Sequence, residues 1–358
     1  MLREILEKKA YLPLFENVRS AADWPKRRSE LLATLEQHCY GVYPRCEATV
    51  TAEMLRTDSS AFADKAVQTR VLLRVDTENG PYAFPVDLLV PKNRQKPPVF
   101  LHLAFRRAIP DTYVPAEEIL DRGYALANVC YEDIAPDGHM GDFDAGLCAK
   151  LIPQPHRAAH DTGKIGVWAW AASRVLDWLL TLDTVDASRT AIIGHSRLGK
   201  TALWAAANDD RFACAISNDS GFGGAACKKD GHGERVADFI RAGSWDWFCD
   251  AFRDDLDRED ESPYDQHMLL ACIAPRLLCV GSAERDGGAD PQSEFLSTLS
   301  ASPVWELLGA RGLDCPDRLP EAGDCFGSGS IRYHMRPGTH YLSRTDWNRY
   351  MDFLDERF

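Results

Sequence analysis

An α/β fold, a three-layer αβα sandwich with a mostly parallel central sheet, is what this sequence predicts, and three observations carry the prediction. From Pro97-Pro98 onward, short apolar runs alternate with segments of helical period, which is how strands and their covering helices are written. The 358 residues are 45% apolar with nine Trp and fifteen Phe, ample material for a core and far too hydrophobic for a disordered chain. No internal repeat or low-complexity tract marks a solenoid or propeller. At roughly 150 residues per domain the length permits two domains, but large α/β folds often use about 250 or more as one. A single domain over residues 1–358 is expected, with 1–60 as a lead-in and 68–358 as the core.

The lead-in reads as helical, with Trp24 and the run Arg28 to His38 at helical spacing, ending near Gly41. It carries no catalytic signal. From Gln68 the period becomes two: Val71 to Val75 and Tyr82 to Val90, separated by Glu78-Asn79-Gly80-Pro81, predict an antiparallel hairpin with Pro85 at an edge. Val99 to Leu103 is a buried strand, Ala116 to Arg122 a helix closed by Gly123, and Ala125 to Cys130 the next strand. After a polar loop from Asp133 to Gly146, Val167 to Leu182 is a helix with Trp168, Ala171, Val175 and Trp178 on one stripe. Strand Ala191 to Ile193, helix Arg197 to Ala207, strand Phe212 to Ile216, helix Gln266 to Ile273, strand Arg276 to Val280 and helix Gln292 to Leu308 follow. A strand near Ile331 to Met335 precedes a closing helix, Asp346 to Phe358. Seven or eight strands with intervening helices is the order of an α/β-hydrolase, although periodicity alone fits other doubly wound folds.

Charge and composition narrow the function. Lys and Arg number 41 against 54 Asp and Glu, so the net charge is 41 − 54 = −13, contrary to the basic balance that phosphate contacts with nucleic acid require. No run approaches the roughly 18 apolar residues of a membrane span, and the opening Met1 to Lys9 lacks an apolar signal region, so a cytoplasmic protein is expected. The 11 Cys are an odd count without CxxC pairs, and Cys130, Cys214, Cys272 and Cys279 sit in apolar runs. Reduced core thiols are the expectation.

Ile192-Ile193-Gly194-His195-Ser196-Arg197-Leu198-Gly199-Lys200 decides among the doubly wound folds, because an apolar strand runs straight into a Gly-flanked serine and then a helix. A nucleophile elbow needs that context: the serine occupies a strained turn and small neighbours let the backbones approach. The second glycine falls three residues after Ser196 rather than two. Helix capping is the plain alternative for such a serine. The stretch Gly194 to Thr201 also matches a phosphate-binding loop literally, but its interior is poor in glycine and no Mg²⁺-binding Asp follows a suitable strand.

A serine needs a base to take its proton. Among ten histidines, His340 lies in Met335-Arg336-Pro337-Gly338-Thr339-His340, after the last strand and before the last helix, where an α/β-hydrolase places that base. His334 falls within the strand and is expected to pack. His195 lies inside the tight turn, and His102 at the end of an apolar strand reads as a core residue. A third group, a carboxylate, must orient the imidazole. Glu284 or Asp286 follows one strand and Asp219 follows the one before it, and chain order does not choose among them. His139, Asp142 and Asp144 lack a recognised ligand spacing and read as a solvated loop, so no metal is expected.

With these motifs together the chain resembles the glucuronoyl esterases of carbohydrate esterase family 15, bacterial type, whose sequences often carry the name acetyl xylan esterase. The resemblance rests on Gly194 to Trp204, Arg211-Phe212, Ala215 to Gly221, Asp265-Gln266-His267, Ile273-Ala274-Pro275-Arg276, Asp290-Pro291 and Tyr333-His334 to Asp346-Trp347, and spans roughly residues 90–358. It implies Ser196 as nucleophile, His340 as base, Arg197 as a stabiliser of the oxyanion, and Lys200 and Glu234 as contacts to hydroxyls of the sugar acid. Without it, Arg197 reads as a surface residue of a first helical turn, and Lys200 and Glu234 as solvated charges. Asp219 matches the acid after the sixth strand of fungal members, Asp286 the acid after the seventh in many bacterial ones, and Glu284 stands outside both. The family usually reads Asp-x-Trp where this chain reads Asp286-Gly287-Gly288, and Phe222 stands where a smaller or acidic residue is usual. A reshaped pocket is therefore expected.

The resulting expectation is a serine carboxylester hydrolase that acts on carbohydrate esters, glucuronoyl esters first, through an acyl-enzyme on Ser196 and without metal or organic cofactor. A carbohydrate deacetylase with the same triad is the alternative within enzymes. An inactive binding protein on a hydrolase scaffold is the remote one.

Overall fold

Burial alternates residue by residue along the strands and sends successive side chains to two separate apolar layers. Val99, Leu101 and Leu103 join one core cluster while Phe100 between them joins the other; Ala125, Ala127 and Val129 alternate with Leu126 in the same way, and Ile192 with Ala191 and Ile193. A sheet apolar on both faces must be covered on both. In the computed structural model, which describes all residues except 139–141 and 153–156, the helices Lys164–Leu179 and Arg197–Asn208 supply one layer, and Ala116–Asp121 and Arg344–Asp355 contribute to the other.

The sheet contains β1 (Thr49–Ser60), β2 (Ala66–Thr77), β3 (Gly80–Pro91), β4 (Pro98–Ala104), β5 (Ala125–Cys130), β6 (Asp186–His195), β7 (Cys214–Asn218), β8 (Leu277–Ala283), β9 (Cys325–Phe326) and β10 (Ile331–Arg336). Their order is β1-β2-β3-β5-β4-β6-β7-β8-β10-β9. The contacts β5·β4, β4·β6, β6·β7, β7·β8 and β8·β10 are parallel, and the strands outside that block pair antiparallel. Parallel strands all end on the same side, so the loops after β6, β7, β8 and β10 converge there, which is where Ser196, Asp219, Asp286 and His340 are carried. Among the described residues no helix is long and apolar enough to cross a membrane.

Four details differ from the sequence reading. The helical run ends at Tyr40, as the spacing predicts, but residues 49–60 of the lead-in form β1. Every β1 residue but Val50 is exposed, so the strand has no buried face to impose alternation and is held by its ladder to β2, from Thr49↔Asp76 to Asp58↔Gln68. The sheet has ten strands rather than seven or eight, through β1 and the two-residue β9. Pro85 is not on an edge strand: β3 pairs with β2 along its length but with β5 only at Asp87 to Leu89, so the proline sits outside the doubly paired stretch. The helix expected over Gln292 to Leu308 is two, Pro291–Ala301 and Pro303–Leu307, because Pro303 cannot donate into the first.

The layer formed by Lys164–Leu179 carries a buried ion pair, with Lys164 Nζ 2.7 Å from Asp246 Oδ2 and the two side chains 0% and 1% exposed. Removing one partner leaves the other charge in the core without this counterion, whereas replacing both leaves an apolar contact. Lys164→Met or Asp246→Leu alone should lower unfolding stability by about 3–5 kcal/mol, and the double variant should recover most of the loss, read by urea denaturation.

Candidate active site

Ser196 occupies φ 58°, ψ −128° between the end of β6 and the helix Arg197–Asn208. Two glycines make that turn possible. A Cβ on Gly194 would stand 2.0 Å from the Leu198 carbonyl oxygen, and one on Gly199 would stand 3.0 Å from Ser220 Cβ. The glycine three residues after the serine therefore serves a helix packed onto the following loop, which explains the shifted spacing. Ser196 N–H donates to Asn218 O at 2.9 Å and ties the elbow to β7. Among the described residues the hydroxyl makes no hydrogen bond, so it is free to meet a ligand.

A cavity of about 130 Å³ is lined by Ser196, Lys200, Asp219, Ser220, Gly221, Glu234, Asp286, Gly288, Ala289 and His340. Six of the eight residues singled out from the sequence thus meet in one place, Arg197 and Glu284 being the exceptions. His340 stands on the loop after β10, with Nδ1 2.5 Å from Asp286 Oδ2; the imidazole is 45% exposed and the carboxylate 8%. Asp219 lies close to both, with ligand atoms of the three within 4.8 Å of one another, yet its Oδ2 contacts Arg336 at 3.1 Å and accepts from Tyr341 N–H at 3.4 Å. Burial pushes the Asp219 carboxyl well up, Glu294 adds to the push, and the Arg336 guanidinium opposes both. Glu284 is exposed and outside the cavity.

His195, His102 and His334 have partners of their own. His195 Nδ1 meets Asn218 Oδ1 at 2.7 Å, and the ring lies 4.4 Å from that of His340. Burial first, and the neighbouring His340 second, depress it to about 3, so it stays neutral beside its partner at ordinary pH. His102 is buried against Asn128, and His334 Nε2 is 2.8 Å from Asp346 Oδ1. His139 lies outside the described residues.

Lys200 is a core residue rather than a solvated charge. Its Nζ donates to the carbonyls of Ser220 at 2.5 Å and Phe222 at 2.7 Å, 4.0 Å from Glu234 Oε2, and burial lowers its pKa. Glu234 is 45% exposed on the cavity rim, where its side chain can reach a ligand. Arg197 does not line the small cavity. It lines an adjoining one of about 400 Å³ that shares Glu234, with its guanidinium paired to Asp137 and 4.2 Å over the Trp247 ring. Phe222 is buried against Phe239 and Phe252, so it shapes the wall from behind. A Cβ on Gly288 would meet only Asp286 Oδ1, at 3.8 Å, and one on Gly287 would meet nothing within 4 Å. The rim above Asp286 is therefore open.

Four participants were not found from sequence. Asp137 and Trp247 hold Arg197 from loops whose only signal was polarity and aromaticity. Arg336 binds beneath the His340 loop, and its one hint was a charge closing an apolar strand. Glu294, fully buried, accepts from Ser282 Oγ at 2.6 Å and Gly221 N–H at 2.9 Å; in the first turn of a helix it looks like an ordinary dipole partner. A second cluster, Cys227, Asp265 and His267, brings donors within 4.8 Å. Asp265 accepts from the N–H groups of Lys228, Lys229 and Gln266, and His267 Nε2 is engaged by Leu12 O, so these side chains are spent on holding loops.

Comparison with known proteins places the chain beside carbohydrate esterases. A family model described as glucuronyl esterase of fungi matches residues 73–309. A carbohydrate esterase from an unknown prokaryotic organism is 33% identical over 94% of this chain and 86% of its own. A 4-O-methyl-glucuronoyl methylesterase from Cerrena unicolor is 28% identical over 82% of this chain and 60% of its own. Among solved structures, a glucuronoyl esterase from Solibacter usitatus superposes with TM-score 0.87 at 35% identity, covering 97% of this chain and 96% of that one.

Glu294 makes stability depend on pH. Burial raises its carboxyl from 4.5 to about 7, so in that window the folded chain keeps a proton that the unfolded chain has lost, and stability falls as pH rises through it. Glu294→Gln should remove this slope, seen as a smaller drop in urea midpoint between about pH 4.5 and about pH 7 than in the parent.

Proposed function

This chain belongs to the glucuronoyl esterases of carbohydrate esterase family 15, and from that membership we propose a serine mechanism on glucuronoyl esters in which Ser196, His340 and Asp286 form the triad. The 2.5 Å contact of His340 Nδ1 with Asp286, in the cavity that holds a strained Ser196, is the observation that carries this reading. With Nδ1–H donated to Asp286, the other ring nitrogen is the bare base. It takes the Ser196 proton as Oγ attacks the ester carbonyl.

The tetrahedral intermediate carries an oxyanion at the elbow. The backbone N–H of Arg197, the residue after the nucleophile, is the donor that such an elbow offers, and the Arg197 guanidinium adds positive charge from the adjoining cavity. Its pairing with Asp137 and stacking on Trp247 preorganise that charge. His340 then protonates the departing alcohol, and water repeats the sequence on the acyl-enzyme. Each oxyanion donor contributes about 3–4 kcal/mol to such a step.

Lys200 and Glu234 face the acid half of the ester, which suits a hydroxylated sugar acid: a rigidly held cation and a rim carboxylate give directional partners for hydroxyl groups. The open rim at Gly288 suits a broader acid than a pocket closed by an indole. A deacetylase would need neither of these contacts.

Ser196→Ala and His340→Ala should each lower kcat on methyl or benzyl glucuronate by about 10⁴-fold or more, and Asp286→Asn by about 10²–10⁴-fold, measured in steady state. Glu234→Gln should raise KM for the glucuronate ester about tenfold while sparing p-nitrophenyl acetate, whose acyl group has no hydroxyls. A parent enzyme that hydrolyses acetylated xylo-oligosaccharide but not glucuronate esters would replace the glucuronoyl reading with the acetyl xylan esterase one.

A further inference from the structure

The exposed half of the His340 ring leaves its position to the loop that carries it, and that loop is tied to one buried guanidinium. Arg336, 6% exposed at the side chain, ends β10 four residues before His340. Its Nη2 donates to Thr339 O at 3.0 Å and to Tyr341 O, the carbonyls of the residues on either side of His340. Nη1 donates to Pro337 O at 3.2 Å. The cation is anchored behind by two carboxylates of 0% exposure: Asp346, which accepts from Nε at 2.7 Å, and Asp219, 3.1 Å from Nη2. Asp346 in turn holds His334 and the Ser343 cap of the closing helix, so the anchor is rigid.

Asp219 therefore has its Oδ2 committed to Arg336 and to Tyr341 N–H and its Oδ1 without a hydrogen bond, while among the described residues only Asp286 hydrogen-bonds the His340 ring. A base must be held within about 0.5 Å of its productive position, and a displacement of 1 Å costs about 10²-fold. We propose that Arg336 is a positioning residue that sets the His340 loop for proton transfer, and that Asp219 acts through Arg336 as its counterion rather than on the imidazole. The proposal rests on His340 as the base, but not on which ester is the substrate.

The test measures kcat and KM on benzyl glucuronate and p-nitrophenyl acetate, with fluorophosphonate labelling of Ser196 as a count of competent sites and urea midpoints as a check on folding. Arg336→Lys keeps the charge and loses the fork; it should lower kcat about 10²-fold on both esters with KM within about twofold, and slow labelling in step. Added methylguanidinium should restore much of the kcat of Arg336→Gly and leave KM unchanged. Asp219→Asn should cost about tenfold in kcat, far less than Asp286→Asn. Arg336→Lys with unchanged kcat per labelled site overturns the proposal, and so does an Asp219→Asn loss that equals or exceeds that of Asp286→Asn. If Arg336 variants do not fold, the ratio between the two Asp→Asn losses decides alone. A parent enzyme active only on p-nitrophenyl acetate would sink the glucuronoyl reading and leave this test intact.

Discussion

The close approach of the helix Arg197–Asn208 to the end of β6 is the constraint on which the site depends. The Leu198 carbonyl lies where a Cβ of residue 194 would be, so only glycine allows strand and helix to meet at the angle that pushes Ser196 into a left-handed turn. Such a turn in a non-glycine residue costs of order 1–3 kcal/mol and persists only where its surroundings over-determine it. Here they do: Ser196 N–H is bound to Asn218 O, Gly199 packs on Ser220, and the buried Leu198, Leu203 and Trp204 lock the helix against the sheet. The strain places a hydroxyl at the helix N-terminus, where backbone N–H groups and the helix dipole favour a developing negative charge.

Around this elbow the protein concentrates buried ionisable groups instead of excluding them. Lys200 lies under the cavity floor on two main-chain carbonyls, Glu294 holds the Ser220-Gly221 turn, and Arg336 holds the base loop between Asp219 and Asp346. Lys200 and Glu294 tether the loop after β7, and Arg336 the loop after β10. A buried polar group fixes such a loop because any departure would leave it without a partner in a low-dielectric interior. The rim differs in kind: Glu234 and His340 are half exposed, and the glycines at 287 and 288 leave space. The floor is preorganised and the mouth is open, an arrangement that tolerates variety in the bound ester more readily than misplacement of the reacting groups.

What could be read in advance follows from range. Period-two runs located β2 and β3, and short apolar runs located β4 to β8 and β10, because burial of a strand's faces is recorded locally; the glycine-flanked serine marked the elbow because the turn is built from consecutive residues. β1 escaped notice since a strand exposed on both faces has no alternation to show. Lys200 reads as a solvated helix charge until the Ser220 and Phe222 carbonyls are folded over it, and Asp137 reads as one more polar loop residue until it meets Arg197.

The sequence by itself determined the layered α/β fold, the elbow and the histidine that follows the last strand, since those depend on local period, local sterics and chain order. Only the tertiary structure told the two carboxylates apart by their partners. Asp219 and Asp286 are equivalent in a linear reading, each an acid in the loop after a parallel strand. In space, Arg336 reaches one and His340 Nδ1 the other, and a hydrogen bond is chosen by tenths of an ångström between loops more than a hundred residues apart for Asp219 and more than fifty for Asp286.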